Sequence, residues 1–163
     1  MSERKRKSFV SMLITVTALS VAGTDSRAHA LTSEEFYVDP KDNFFETSTT
    51  LVGHKFNVTV RFKNAANVFA WQVKLTYDPT LLNCTQAWQP TWDNEYLFYG
   101  MSTVKPSPSW DSSGSMLIMD TLYSGSASGH KKLAIFELQI MKAPATGELS
   151  CLLKIDNSDT IWS

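Results

Sequence analysis

The chain has 163 residues and a mass of 18.3 kDa, the size of one domain with a single core. With 43% hydrophobic and 19% charged residues it has a globular rather than a disordered composition, and its two cysteines are too few for a disulfide scaffold. The net charge of −1 is unevenly spread: Arg4, Lys5, Arg6, Lys7 and Arg27 against Glu3 and Asp25 give residues 1–30 a charge of +3 and leave −4 on the rest, an acidic body that excludes a basic nucleic-acid face.

Residues 1–30 have the layout of a secretory leader. A basic cluster, Glu3 to Lys7, precedes an apolar run from Phe9 to Gly23. That run is shorter than the ~20 residues a membrane-spanning helix needs. The segment ends in Ala28-His29-Ala30, a small-residue exit that suits signal peptidase. Cleavage there would start the mature chain at Leu31 and place residues 31–163 outside the cell or on its surface. Export in turn makes Asn57-Val58-Thr59 and Asn83-Cys84-Thr85 candidate N-glycosylation sites.

The body reads as strands. A first one is expected around Phe36-Tyr37-Val38. From Lys55 to Phe62 alternation is strict, with Phe56, Val58, Val60 and Phe62 on one face and Lys55, Asn57, Thr59 and Arg61 on the other. Asn64-Ala-Ala-Asn67 reads as a turn. The next strand sets Phe69, Trp71, Val73, Leu75 and Tyr77 against Gln72, Lys74 and Thr76, and Asp78-Pro79 ends it because proline lacks the ladder donor. Further strands are expected over 81–87, 95–101 and 116–122. Ser107–Gly114 and Ser124–Gly129 read as turn and loop. Lys132–Lys142 is apolar on both phases near its start, which suits a central strand. After a turn at Pro144–Gly147, Leu149, Cys151, Leu153 and Ile155 define the last one. No run of helical periodicity exceeds two turns. The pattern predicts an all-β, two-sheet antiparallel sandwich.

Catalytic signals are weak. In the mature chain only His54 and His130 could serve a nucleophile, and both read as surface residues. No zinc spacing and no phosphate-cradling glycine loop occur. The carboxylate pairs Asp93/Glu95 and Asp111/Asp120 are of the kind that any chain with 16 acidic residues offers. Asp156–Asp159 is an oxygen-rich cluster without the calcium-loop pattern and reads better as a polar turn. Neither a metal nor a cofactor is expected. Trp88, Trp92 and Trp110, among Tyr96, Phe98 and Tyr99, fit two roles: packing a long loop, which tryptophan's usual burial favours, or stacking on sugar rings.

The stretch Phe69-Ala-Trp-Gln-Val-Lys-Leu-Thr-Tyr-Asp-Pro-Thr-Leu-Leu82 resembles the cohesin domain. Val52-Gly-His-Lys-Phe-Asn-Val-Thr-Val60 and Lys132-Leu-Ala-Ile-Phe-Glu-Leu-Gln-Ile140 extend the resemblance over about residues 36–163. It implies a non-catalytic jelly-roll sandwich that binds dockerins, small calcium-binding helical modules. The matching partner face is the outward side of Ala70–Tyr77, with Gln72 and Lys74, beside a strand over Met116–Leu122. The resemblance also implies a final strand pairing with the first, for which no sequence follows Trp162-Ser163. It places Cys84 and Cys151 on different sheets, beyond bridging distance, as buried thiols. Dockerin-type protein binding is the leading expectation, carbohydrate binding through Trp88, Trp92 or Trp110 the alternative, and a structural spacer of a surface protein the third.

Overall fold

The computed structural model describes residues 11–16, 33–46, 52–144, 149–156 and 161–162. Twelve strands and no helix occur among them: β1 Ser11–Val16, β2 Glu35–Asp39, β3 Asp42–Glu46, β4 Lys55–Val68, β5 Ala70–Thr76, β6 Leu82–Trp88, β7 Thr103–Val104, β8 Ser109–Asp111, β9 Ser115–Leu122, β10 Ala127–Ile140, β11 Leu149–Ile155 and β12 Ile161–Trp162. They form two sheets. The larger runs β3-β1-β11-β5-β9-β7, with β12 also on β5 and β8 also on β9; the smaller runs β2-β4-β10-β6. Every strand pair is antiparallel except β1 with β11.

The core lies between the sheets and follows the two-residue period. Val58, Val60 and Phe62 of β4 and Phe136, Leu138 and Ile140 of β10 meet Trp71, Val73 and Leu75 of β5, Met116 and Ile118 of β9 and Leu153 of β11 in one buried cluster. Each such side chain removed from water contributes about 1.5–3 kcal/mol. Lys132–Lys142 was expected to be central, and β10 indeed lies between β4 and β6. The strands expected at 36–38, 81–87, 116–122 and 149–155 are β2, β6, β9 and β11. Cys84 and Cys151 are buried free thiols on the two different sheets, and burial pushes the Cys84 thiol up to about 12.

Five expectations need correction. Asn64–Asn67 is not a turn: both asparagines take a left-handed conformation (φ 57° and 55°), so β4 bulges against β10 and continues to Val68. Residues 95–101 are not a strand. Tyr96, Leu97 and Phe98 are all buried, a spacing no alternating strand can give, and the segment instead makes successive turns, Tyr99 N–H to Tyr96 C=O and Met101 N–H to Phe98 C=O. The turn region 107–114 contains the short strand β8, and the loop at 124–129 already enters β10 at Ala127. Phe69 precedes β5 and stays 40% exposed, out of phase with Trp71. The turn after β8 needs Gly114 (φ +88°), whose Cβ would collide with the Tyr77 carbonyl.

The described residues include part of the stretch read as a leader. β1 falls within the stretch read as a leader, between β3 and β11; residues 17–32, with the Ala28-His29-Ala30 exit, lie outside the described residues. Cleavage after Ala30 would leave the facing edges of β3 and β11 without this partner. Among the described residues no helix is long and apolar enough to cross a membrane. Most of Pro144–Gly147 and of Asp156–Asp159 also lies outside them.

Candidate functional site: the two outer sheet faces

Gln72 and Lys74 occupy the outward phase of β5, between the buried Trp71, Val73 and Leu75. The antiparallel register puts Met119 opposite Gln72 and Leu117 opposite Lys74, so all four side chains share the outer face of the larger sheet. The expected contribution of residues 116–122 is thus β9, the direct neighbour of β5. Sequence reasoning missed that its outward positions are apolar. Leu117 and Met119 are half-buried, Leu152 of β11 is exposed on the same side, and Val104 of β7 is exposed opposite Thr121. The signal was available in Met116-Leu-Ile-Met119, which has no polar residue on either phase.

The electrostatics of this face are local. Lys74 Nζ lies 3.5 Å from Asp156 Oδ2, and the Asp156 N–H donates to the Lys74 carbonyl (2.9 Å). β5 and β11 pair only at Thr76 with Lys154 and Leu75 with Ile155. Beyond these two positions the strands part around an open recess of about 370 Å³, lined by Thr76, Tyr77, Asp78, Ser150, Cys151, Leu152 and Lys154. An apolar stripe, polar side chains and an open recess can receive another molecule's side chains without any chemistry of their own.

The outer face of the smaller sheet is polar. Lys55 pairs with Glu137 (2.7 Å), and the Thr85 hydroxyl donates to the same carboxylate. Arg61 donates to Asp39 (2.9 Å) and Glu95 (3.1 Å), and Lys132 contacts Asp93 (2.6 Å) and Glu95 (2.9 Å). Asn57 and Asn83 are both exposed on this face.

The segment 89–102 closes one side of the sandwich. The Lys132 N–H donates to the Glu95 carbonyl and the Leu97 N–H to the Lys132 carbonyl. The Tyr96 hydroxyl donates to Asp120, a fully buried carboxylate on β9. Desolvation raises the Asp120 pKa, and the donors Tyr96, Thr103 and the Thr121 N–H oppose that rise. Burial raises the Tyr96 pKa strongly, with the Asp120 charge acting in the same direction. Asp120 therefore anchors the segment to the larger sheet, while Lys132 anchors it to the smaller one.

The candidate carboxylate pairs are all engaged structurally. Hydrogen bonds from Lys132 hold Asp93 and Glu95 below the usual carboxylate range, with further help from the Glu95 N–H and from Arg61 respectively. Asp111 caps its own turn through Ser113 and is lowered by it. Asp120 is walled off from solvent, five residues along β9 from Ser115, the partner of Asp111. No carboxylic acid poised as a donor faces a nucleophilic carboxylate in either pair. His54 and His130 are exposed as expected; each has an aromatic neighbour, Phe45 and Tyr37, and His130 Nε2 shares a hydrogen bond with the Tyr37 hydroxyl. Among the described residues no group of three or more His, Cys, Asp or Glu could hold a metal.

The tryptophans divide. Trp92 and Trp110 are 70% and 71% exposed, Trp92 in the closing segment and Trp110 on β8. Trp88 lies on β6 opposite Ile135, half-buried, with its indole N–H buried and unpartnered among the described residues.

The cohesin domain model matches residues 44–108 of the chain, which confirms the resemblance carried by Val52–Val60 and Phe69–Leu82. The chain is similar in fold to the second type II cohesin module of the adaptor scaffoldin ScaA of Acetivibrio cellulolyticus (TM-score 0.54, 14% identity, 81% of this chain and 80% of that one). It is also similar to the third cohesin of ScaC in complex with the ScaB dockerin from the same organism (TM-score 0.52, 12% identity, 69% and 77%). A third similar structure is CaCohA2 of Clostridium acetobutylicum in its complex with CaDoc0917 (TM-score 0.52, 16% identity, 70% and 79%). No curated protein sequence matches the chain significantly. The chain is cohesin-like in sequence over that stretch, and its fold is the cohesin β-sandwich.

Proposed function

We propose that this chain is an exported, non-catalytic binding module that takes a dockerin-type protein partner on the outer face of β11, β5 and β9. The observation that carries the reading is the composition of that face. It sets Leu117, Met119 and Leu152 beside Gln72 and Lys74 and next to an open recess, the mixture of apolar centre and polar rim that protein interfaces use. Two of the similar structures are complexes, one of them with a dockerin named as such, which supports the class of partner. The basic cluster, apolar run and small-residue exit of residues 1–30 support export to the cell surface or medium.

The test is retention of dockerin modules by the immobilised chain, with and without a calcium chelator. A dockerin held with calcium and released by chelation is the expected result, because such a module depends on calcium for its fold. Failure of every dockerin to bind would overturn the reading. A second reading, a carbohydrate-binding module, is favoured by the exposure of Trp92 and Trp110. Titration with soluble polysaccharides separates the two: heat that disappears in Trp92→Ala or Trp110→Ala belongs to the sugar reading. Trp88, half-buried on β6, offers less of its ring to such a platform than Trp92 or Trp110. An absence of both ligands leaves the spacer role.

A further inference from the structure

The chain contains two N-x-S/T tripeptides, at Asn57 and Asn83, and the fold brings them together. Asn57 lies on β4 opposite Glu137, and Asn83 lies on β6 opposite Gln139. Both partners belong to β10, so the asparagines flank one strand and are offset by two residues along it. At ordinary strand spacing their backbones are roughly 12 Å apart. Both side chains are exposed, and both project from the polar face, away from Gln72 and Lys74 on the other layer.

We infer that Asn57 and Asn83 form a paired N-glycan acceptor site on the outer face of the smaller sheet, filled before the domain folds, which restricts partner docking to the opposite face. The inference rests on the export reading, since the sugar donor is met during translocation. In the transfer the asparagine Nδ2 attacks the anomeric carbon of a lipid-linked oligosaccharide. The new N–C bond replaces the C–O bond to the lipid phosphate, which leaves with the bonding pair, and the amide gives up one proton.

The timing follows from the hydrogen bonds. In the folded chain the Thr85 hydroxyl, which the transferase must engage, donates to Glu137, and both asparagines are held extended in strands paired with β10. An acceptor tripeptide has to adopt a turn-like conformation in the enzyme, so the folded sheet withholds it. Once folded, the sheet carries the sugars at no packing cost, because each attachment point already faces solvent. Lys55, Glu137 and Gln139 surround them with hydrogen-bonding groups.

The full chain, extended at its C-terminus by a control acceptor tripeptide, would be expressed in a host whose secretory path transfers N-glycans. A parallel form would carry the host's own leader in place of residues 1–30. The secreted product is expected to carry three glycan masses, all removed by a peptide N-glycosidase. Asn57→Gln and Asn83→Gln should each remove one, whereas Thr59→Ser and Thr85→Ser keep the acceptor and control for folding. The purified, unmodified folded chain, given transferase and lipid-linked donor, should stay bare at Asn83, and the urea-unfolded chain should be modified. A modified control tag with bare Asn57 and Asn83 overturns the proposal, as does transfer to Asn83 in the folded chain. If glycans appear only with the host leader, the export reading fails and the acceptor site stands.

Discussion

The two outer faces of the sandwich share one inward pattern and differ in what they turn to solvent. On the smaller sheet β4 presents Lys55, Asn57, Thr59 and Arg61, and β10 presents Glu137 and Gln139; these charges find partners within the same face. On the larger sheet β9 presents Leu117 and Met119, with Thr121 as the next outward residue, beside Gln72 and Lys74. A self-paired polar face gains little from a partner, since docking would have to desolvate ion pairs that are already satisfied. A half-apolar face gains by being covered. The difference is the reason the proposed partner is placed on the larger sheet.

Breaking the frame that holds both faces should have the largest effect. Asp120→Ala removes the acceptor for the Tyr96 hydroxyl and for the Thr121 N–H, and the Tyr96 hydroxyl has no route to water. The expected loss is about 2–3 kcal/mol, read as a lower urea midpoint, with partner binding weakened only through the unfolded fraction. A variant as stable as the parent would show that the closing segment is held without Asp120, by Lys132, Arg61 and its own buried side chains.

Next come substitutions that turn the larger sheet's face into the smaller one's. Leu117→Lys and Met119→Lys should weaken partner binding by about 30-fold or more, near 2 kcal/mol, while shifting stability little. Equivalent charge placed on the other face, as in Gln139→Lys, should leave binding unchanged. Equal losses from both faces would erase the distinction. Gln72→Ala and Lys74→Glu should cost roughly 10-fold in affinity. Lys74→Glu also sets a carboxylate beside Asp156, so Lys74→Met serves as its control.

How much of this was legible follows from where the two-residue period governs. Lys55–Phe62, Ala70–Thr76 and Leu149–Ile155 each alternate because one phase meets the core and the other meets solvent, and there the sequence pattern coincides with the structure. At Tyr96, Leu97 and Phe98 three adjacent side chains are buried because a turn-rich segment wraps the side of the sandwich. Aromatic content imitates a strand there, and periodicity cannot report a wrap. Asn64 and Asn67 imitate a turn because the same left-handed tolerance serves bulges. Of the partner face, Gln72 and Lys74 came from the cohesin resemblance. Leu117 and Met119 were hidden because an apolar outward phase reads as a strand covered on both sides.

The smallest expected effect concerns the closing segment's pH dependence, and it sets the two anchors against each other. Lys132 holds Asp93 and Glu95 below their ordinary pKa values. A folded-state pKa below the unfolded one contributes stability that is present above the unfolded value and lost as pH falls through the folded one. The melting temperature should therefore drop as pH is lowered below about 4. Glu95 is exposed and Asp93 half-buried, so the drop is modest and fades in high salt. Asp120 acts in the opposite sense: burial raises its pKa, so protonation offsets part of the loss in acid and its cost appears as pH rises. Lys132→Met should flatten the acid limb, whereas Asp120→Asn should steepen it. Thermal melts of the three proteins between pH 3 and pH 7 decide the matter. An unchanged acid limb in Lys132→Met would mean that the Lys132 ion pairs lend the closing segment no stability, and that Arg61, Asp120 and the buried Tyr96-Leu97-Phe98 run hold it without them.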